Sequence, residues 1–281
     1  IAYRIHMEFA GENLASMTQS VGLAILELAN FFENDRPDIA LVPVDRYESL
    51  AMATAASLMN IPVAHTQGGE VTGTIDESIR HAITKLAHIH FPSTATSAER
   101  IIKMGESAHL VFNVGCPASD LLLQAPVWTK EESLKKVNSY IKDDRYTLDV
   151  TKDFFVILQH PVTTEFGSGC AQIESTLNAI AQFGIQGVML WPNIDAGSDD
   201  ISKGIRLFLL AHPEVKLATL KHMPSEVFVN CMRHAICMVG NSSSGIREAC
   251  YFGTPVVNIG TRQQGRERGE NVKDATNDME S

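Results

Sequence analysis

The sequence predicts an α/β protein built in two halves, and three observations carry that expectation. Short apolar runs alternate with amphipathic stretches along the chain, a charge-rich segment interrupts the alternation near the middle, and 281 residues suffice for two cores of ordinary size. The apolar runs are 39–42, 61–64, 89–91, 110–112, 154–158, 187–191, 215–217, 236–239 and 255–259. Runs of three to six such residues with little polar alternation read as strands covered on both faces, the signature of a parallel sheet. Between them, 14–33 carries Met17, Val21, Leu23, Ile25, Leu28 and Phe32, and 47–59 is rich in Ala, Leu and Met. Residues 76–86 place Ile79 and Ile83 four apart, and 173–183 and 226–232 behave similarly. These stretches predict the helices that cover the sheets. Residues 128–153 hold Lys130, Glu131, Glu132, Lys135, Lys136, Lys142, Asp143, Asp144 and Arg145, which predicts a solvated linker or surface helix. The expected halves are therefore 1–127 and 154–281, with a cleft between them and ligands at the carboxyl ends of the strands.

Composition narrows the function. With 33 acidic against 23 basic residues the net charge is -10, which argues against a general nucleic-acid or anionic-membrane binder, since either needs a basic face. A local basic site for one small anion remains compatible. No apolar run approaches the roughly 18 to 20 residues that span a bilayer. The five cysteines are odd in number and form no CxxC pair, which speaks against a disulfide framework or a structural zinc site and points to a reducing, cytoplasmic setting. Internal repeats and low-complexity tracts are absent.

Chemistry-capable residues cluster where strands should end. Asp45 follows the first run, His65 and the Gln67-Gly-Gly-Glu70 loop the second, His160 the fifth, and Asn193 and Asp195 the sixth. Asn241 to Glu248 leads from a strand into a helix through small residues, where free N–H groups attract an anion. Ser242 and Ser243 add hydroxyl donors, and Glu248 can accept from ribose hydroxyls. Simple N-capping by Ser or Asn explains the same residues. The Gly-Gly pair gives a loop backbone freedom, or marks an ordinary turn. Asp76 and Arg80 lie four apart on one helix face, so a surface ion pair is the plain alternative to a shared site. Arg262, Arg266 and Arg268 concentrate cations that can face a diphosphate, or form a solvated tail.

These residues also carry a resemblance. Gly68-Gly-Glu-Val71, Gly73-Thr-Ile-Asp-Glu77, the 79–88 stretch with Arg80-His81, Gly115-Cys-Pro117, Leu158-Gln-His-Pro-Val-Thr-Thr164, 192–198, Gly240-Asn-Ser-Ser243, Arg247-Glu248, Phe252-Gly-Thr-Pro-Val256 and Gly260-Thr-Arg-Gln263 follow in order along nearly the whole chain. In them the sequence resembles the hydrolysing UDP-N-acetylglucosamine 2-epimerases of sialic-acid synthesis, including the epimerase half of the bifunctional epimerase/kinase. The resemblance implies a pair of Rossmann-like domains of glycosyltransferase-B type, and conversion of UDP-GlcNAc to UDP and N-acetylmannosamine. UDP leaves by anti elimination to give a 2-acetamidoglucal, and water adds with inversion at C2. It implies no cofactor and no metal, and self-association as a homodimer or homotetramer. Position by position it implies Asp45 and Asp76 as catalytic acids, His160 as the active-site histidine and Gln67 at a further catalytic position. Ser242, Ser243 and Gly245 fall in its diphosphate motif, Glu248 at the ribose, Arg262 on the nucleotide side, Asn193 on the substrate side, and Arg80 beside Asp76.

Three departures stand out. Gln67 replaces the family's carboxylate, and an amide cannot act as a general base. Val44 and Pro43 precede Asp45 where the family has glycine and commonly histidine. Both ends fall short of the family pattern, so the expectation is a truncated chain with an exposed sheet edge in its first half.

Overall fold

The computed structural model describes residues 3–7, 13–43, 45–193 and 195–278. They form two compact units that divide between Pro117 and Ala118.

The first unit runs α1 (Leu14–Asn34), β1 (Ala40–Pro43), α2 (Tyr47–Leu58), β2 (Val63–Thr66), α3 (Ile75–Leu86), β3 (Ile89–Phe91) and α4 (Ala95–Lys103). The strands pair in parallel in the order β1-β2-β3. Side chains of Asn13, Thr74 and Thr94 accept from the first-turn amides of α1, α3 and α4, so each of these helices starts at a polar cap. Phe32, Val42, Ala53, Ala56, Ile61, Val63, Ile79 and Ile83 make the core. β1 is an edge strand, and Leu41 on it is 57% exposed, as expected for a sheet that ends there among the described residues.

The second unit follows with α5 (Pro117–Gln124), α6 (Lys130–Asn138), β4 (Phe154–Leu158), α7 (Gly169–Gln182), β5 (Gln186–Leu190), α8 (Ser198–Ala211), β6 (Leu217–Leu220), α9 (Ser225–His234), β7 (Cys237–Gly240), α10 (Ser243–Arg247), β8 (Val256–Ile259) and β9 (Val272–Ala275). Six parallel strands lie in the order β6-β5-β4-β7-β8-β9. The chain builds outward from β4 in one direction and then returns to β4's other side with β7. That reversal opens a crevice at the carboxyl ends of β4 and β7. One apolar layer, with Ile157, Ile173, Leu177, Met189, Ile201 and Ile205, packs against one face. Another, with Val156, Val188, Met232, Met238 and Ile246, packs against the other.

The α/β architecture agrees with the sequence, and three details differ. Of the two readings of residues 128–153, the helix holds and the free linker does not, and the helix is anchored in the core. Thr129 and Glu132 form a capping box that starts α6, and Leu134, Val137 and Leu148 are buried in the second unit's core. The charges sit on the outer face, and that face dominates the composition. The boundary accordingly moves back from 127 to 117. Residues 110–112 form no ladder, only a single bridge between Val111 and His90 after a 3-10 turn. β9, with the polar sequence Val-Lys-Asp-Ala, is an edge strand whose exposed middle hides it from an apolar pattern.

Candidate functional site

In the first unit, the predicted residues gather around Arg80. This side chain, on the second turn of α3, is only 1% exposed. It donates from Nη1 to the Glu70 carbonyl at 2.8 Å, and from Nη2 to Asp45, whose side chain is 23% exposed. A buried guanidinium needs an anion and carbonyls around it. The expected partnership with Asp76 thus gives way to one with Asp45. Asp76 lies one turn earlier on α3, where its Oδ2 accepts from Thr74 Oγ1 at 3.0 Å. Glu77 Oε2 accepts from the Thr72 amide at 2.6 Å and ties the preceding loop to the helix start. Val44, whose branched side chain stood out in the sequence, lies outside the described residues.

Gln67 leaves β2 with φ of 60°, a left-handed conformation unusual for a side chain of its size. Its amide N–H donates to the Phe91 carbonyl at 2.9 Å, and its Nε2 lies 3.6 Å from Cys116 Sγ. The following glycines answer a steric need. At Gly69, with φ of 78°, a Cβ would run into the Ser97 backbone, and Arg100 donates to the Gly69 carbonyl. The Gly-Gly loop is therefore pressed against α4, more than a simple turn requires.

In the second unit, a cavity of about 700 Å³ occupies the crevice at the strand ends. His160 lines it from beyond β4, Trp191 and Asn193 from beyond β5, residues 221–224 from the β6–α9 connection with Ser225, Glu226 and Phe228 from the first turn of α9, Ser242, Ser243 and Ser244 from beyond β7, and Arg262 from beyond β8. Five strand ends of the second unit thus converge; those after β4, β5 and β7 are among the five that the sequence singled out, whereas the two that carry Asp45 and Gln67 belong to the first unit. Ser242 also caps α10, its Oγ accepting from the Ser244 amide at 3.3 Å. Capping and cavity lining coexist. α10 is only five residues long, which limits its dipole, so Arg262 and the hydroxyls carry most of the attraction for an anion here.

Two expected residues lie elsewhere. Gly245 does not line the cavity. A Cβ there would sit 2.9 Å from Val256 Cγ1, so the glycine lets α10 close onto β8. Glu248 borders an adjoining cavity of about 380 Å³ that shares Ser225, Glu226 and Phe228 with the larger one. Burial pushes its carboxyl above the usual range, against smaller opposing effects of a Ser244 hydrogen bond and of Arg247.

With this geometry in view, the sequence matches the UDP-N-acetylglucosamine 2-epimerase family over residues 1–281. The chain belongs to that family. Among its relatives, the UDP-N,N'-diacetylbacillosamine 2-epimerase (hydrolyzing) of Legionella pneumophila is 38% identical over 270 residues, covering 96% of this chain and 68% of that protein. The UDP-N-acetylglucosamine 2-epimerase of Neisseria meningitidis is 31% identical over 270 residues, covering 96% and 67%. This chain spans about two thirds of the length of these relatives. Among solved structures, the Neisseria meningitidis UDP-GlcNAc 2-epimerase bound to UDP-GlcNAc superposes with a TM-score of 0.73 at 21% identity, over 94% of this chain and 71% of that one. The Methanocaldococcus jannaschii UDP-GlcNAc 2-epimerase, in complex with UDP-GlcNAc and UDP, gives 0.75 at 16%, over 99% and 75%. At that identity the structural likeness establishes the shared fold.

For an epimerase-family chain, sequence reading passed over two supports. Glu165 accepts from Thr261 Oγ1 and, at 2.6 Å, from Gln172 Nε2, so it ties the loop after β4 to the loop after β8. Gln263 and Arg268 form a second brace, with Gln263 Nε2 donating to the Asn241 carbonyl at 2.9 Å and Arg268 donating to Asp274 and to the Gln263 carbonyl. Of the three arginines after β8, then, Arg262 faces the cavity and Arg268 is structural. Among the described residues, no helix is long and apolar enough to cross a membrane, and no cluster of side chains has a metal-binding arrangement.

Proposed function

We propose that this chain is the catalytic core of a hydrolysing UDP-acetamido-sugar 2-epimerase, with UDP-GlcNAc as substrate and UDP and N-acetylmannosamine as products. Membership of the epimerase family across the whole chain supports the reaction class. The observation that carries the residue roles is the placement of two acids around the start of α3, Asp45 paired with Arg80 on its second turn and Asp76 held by Thr74 in its first, in a unit that keeps the family's Gly-Gly-Glu loop.

The chemistry follows from what C2 demands. One carboxylate takes the C2 proton as the C1–O bond breaks, and UDP departs with the bonding electrons to leave a 2-acetamidoglucal. Water then adds across the double bond, hydroxyl to C1 and a proton to the opposite face of C2. Two carboxyl groups divide this work, since the proton leaves one face and returns to the other. Asp45 and Asp76 take these roles. Ser242, Ser243 and Arg262 receive the departing diphosphate, with His160 beside them, and Glu248 receives the ribose hydroxyls.

Incubation with UDP-GlcNAc in deuterium oxide tests the proposal. UDP appears, and N-acetylmannosamine carries deuterium at C2 by NMR. UDP-N,N'-diacetylbacillosamine is run alongside, because one relative's name carries that substrate. Faster turnover of it moves the assignment within the same reaction class. UDP release from neither sugar refutes catalysis.

One observation favours a second reading, a UDP-sugar-binding homologue without turnover. Gln67 stands where the family has a carboxylate, and its amide is turned to Cys116. Tight UDP binding by calorimetry with no product, and product gained on Gln67→Glu, establish this reading instead.

A further inference from the structure

We infer that Asn241, which is not itself among the residues lining the cavity, is a positioning residue that presents His160 to the substrate as a neutral hydrogen-bond donor through Nε2. The inference rests on the epimerase reading for its functional consequence, but its geometry stands alone.

The β4–β7 ladder ends at the Leu158–Gly240 pair. The Asn241 amide adds one more main-chain bond, to the Leu158 carbonyl at 3.1 Å. Beyond that point the Asn241 side chain takes over. Its Oδ1 accepts from the His160 amide at 2.7 Å, and its Nδ2 donates to the His160 carbonyl at 2.9 Å. One side chain thus satisfies both main-chain polar groups of His160, as a further strand residue would. Asn241 is 2% exposed and His160 5%, so neither bond is replaced by water at low cost. Pro161 follows and limits the backbone after the histidine.

With its backbone clamped, the His160 ring has a defined neighbour. The Asn193 amide N–H, just beyond β5, donates to His160 Nδ1 at 3.2 Å. A nitrogen that accepts from an N–H carries no proton of its own. In the neutral ring the proton is therefore on Nε2. Protonating the ring would set two donors against each other at Nδ1. His160 is thus arranged to donate to a phosphate oxygen of the departing UDP, and the transfer at C2 falls to the carboxylates. The Asn241 carbonyl meanwhile accepts from Gln263 Nε2 at 2.9 Å and from Arg262 Nη1 at 3.3 Å. Its side chain therefore serves His160 and its main chain serves Arg262, so substitution separates the two.

The test is long-range proton–nitrogen NMR of the chain labelled at its ten histidines, with His160 assigned by comparison with His160→Gln. The wild-type His160 shows the pattern of a ring protonated at Nε2. Asn241→Ala keeps the main-chain carbonyl. It gives mixed His160 tautomers and slows UDP release by about 100-fold, the scale of a misplacement near 1 Å, while UDP affinity changes little. Asn241→Asp keeps the acceptor for the His160 amide but loses the donor, and falls between the two. A wild-type His160 protonated at Nδ1 overturns the inference without any variant, even if Asn241→Ala does not fold. A folded Asn241→Ala with the wild-type tautomer and turnover overturns it as well. Should the wild type turn over no UDP-acetamido sugar, the epimerase reading fails, and the spectra of wild type and variants still decide what Asn241 does.

Discussion

Replacing Arg80 with methionine removes the cation that joins Asp45 to the loop carrying Glu70 and leaves a shorter, unbranched apolar side chain in its place. The Glu70 carbonyl loses its 2.8 Å donor in a buried setting, which costs about 1–3 kcal/mol. Asp45 loses its ion-pair partner. A fully buried pair broken on one side costs about 3–5 kcal/mol, but the Asp45 side chain is 23% exposed and water relieves part of this, so about 1–2 kcal/mol is the fitting share. The apolar methionine, buried in place of the guanidinium, returns a fraction. The expected loss for Arg80→Met is about 3 kcal/mol. The assay must see the right unit. Both tryptophans, Trp128 and Trp191, lie in the second unit, so their fluorescence in urea reports on that unit alone. Far-UV circular dichroism also sees α1, α2 and α3. Arg80→Met therefore moves an early dichroism transition to lower urea and leaves the tryptophan transition nearly in place. Asp45→Asn and the double variant complete a cycle with a coupling of about 1–3 kcal/mol. A loss below about 1 kcal/mol for Arg80→Met, or additive single effects, would show that Arg80 does not depend on Asp45 and refute the reasoning.

Two further outcomes follow. Gly240 has φ of 136°, and a Cβ there would meet the Leu158 backbone, so Gly240→Ala should part β7 from β4 and cost about 3 kcal/mol in the tryptophan transition; a change under about 1 kcal/mol would mean that the strands separate freely. For Glu248, burial raises the folded-state pKa, so the folded protein holds the proton to higher pH than the unfolded chain does. Its contribution to stability is full below the ordinary glutamate value and is lost as pH rises through the folded value. A ribose whose hydroxyls donate to the carboxylate favours the ionised form, so UDP affinity measured by calorimetry rises across that same window. Glu248→Gln should bind more weakly and with a shallower profile, the remaining slope being that of the UDP terminal phosphate, and a slope unchanged from wild type would remove Glu248 from the nucleotide site.

The fold was legible wherever burial is two-sided. Phe154 to Leu158 is buried along its whole length, and its apolar run marks the strand without ambiguity. Legibility fails where one face is wet. α6 reads as a solvated linker or a surface helix because its lysines and glutamates outnumber Leu134 and Val137; the helix is right, but those two residues anchor it in the core. β9 is missed for the same reason at a sheet edge. Composition measures the solvent-facing side as heavily as the buried one, but only the buried side decides whether a segment joins a core.

At the site the limit is of another kind. Residue type and strand-end position identified His160, Ser242, Ser243, Asn193 and Arg262, and one cavity receives all five. What the sequence withheld was the pairing. Arg80 and Asp76, four apart, invited an ion pair, yet Arg80 is held by Asp45, 35 positions away. Asn241 read as part of an anion-binding turn or, as the plain alternative, a helix cap, yet its side-chain amide closes on His160, 81 positions away. In both cases a local partner was chemically adequate and a distant one won. The reason is burial. A helix-surface pair is worth only a few tenths of a kcal/mol, whereas a buried guanidinium or peptide left without partners costs several times more. Once the sheets bring β1 beside β2 and β4 beside β7, the groups that can no longer reach water take the available partners, and the residues that chemistry requires are held in place by that necessity.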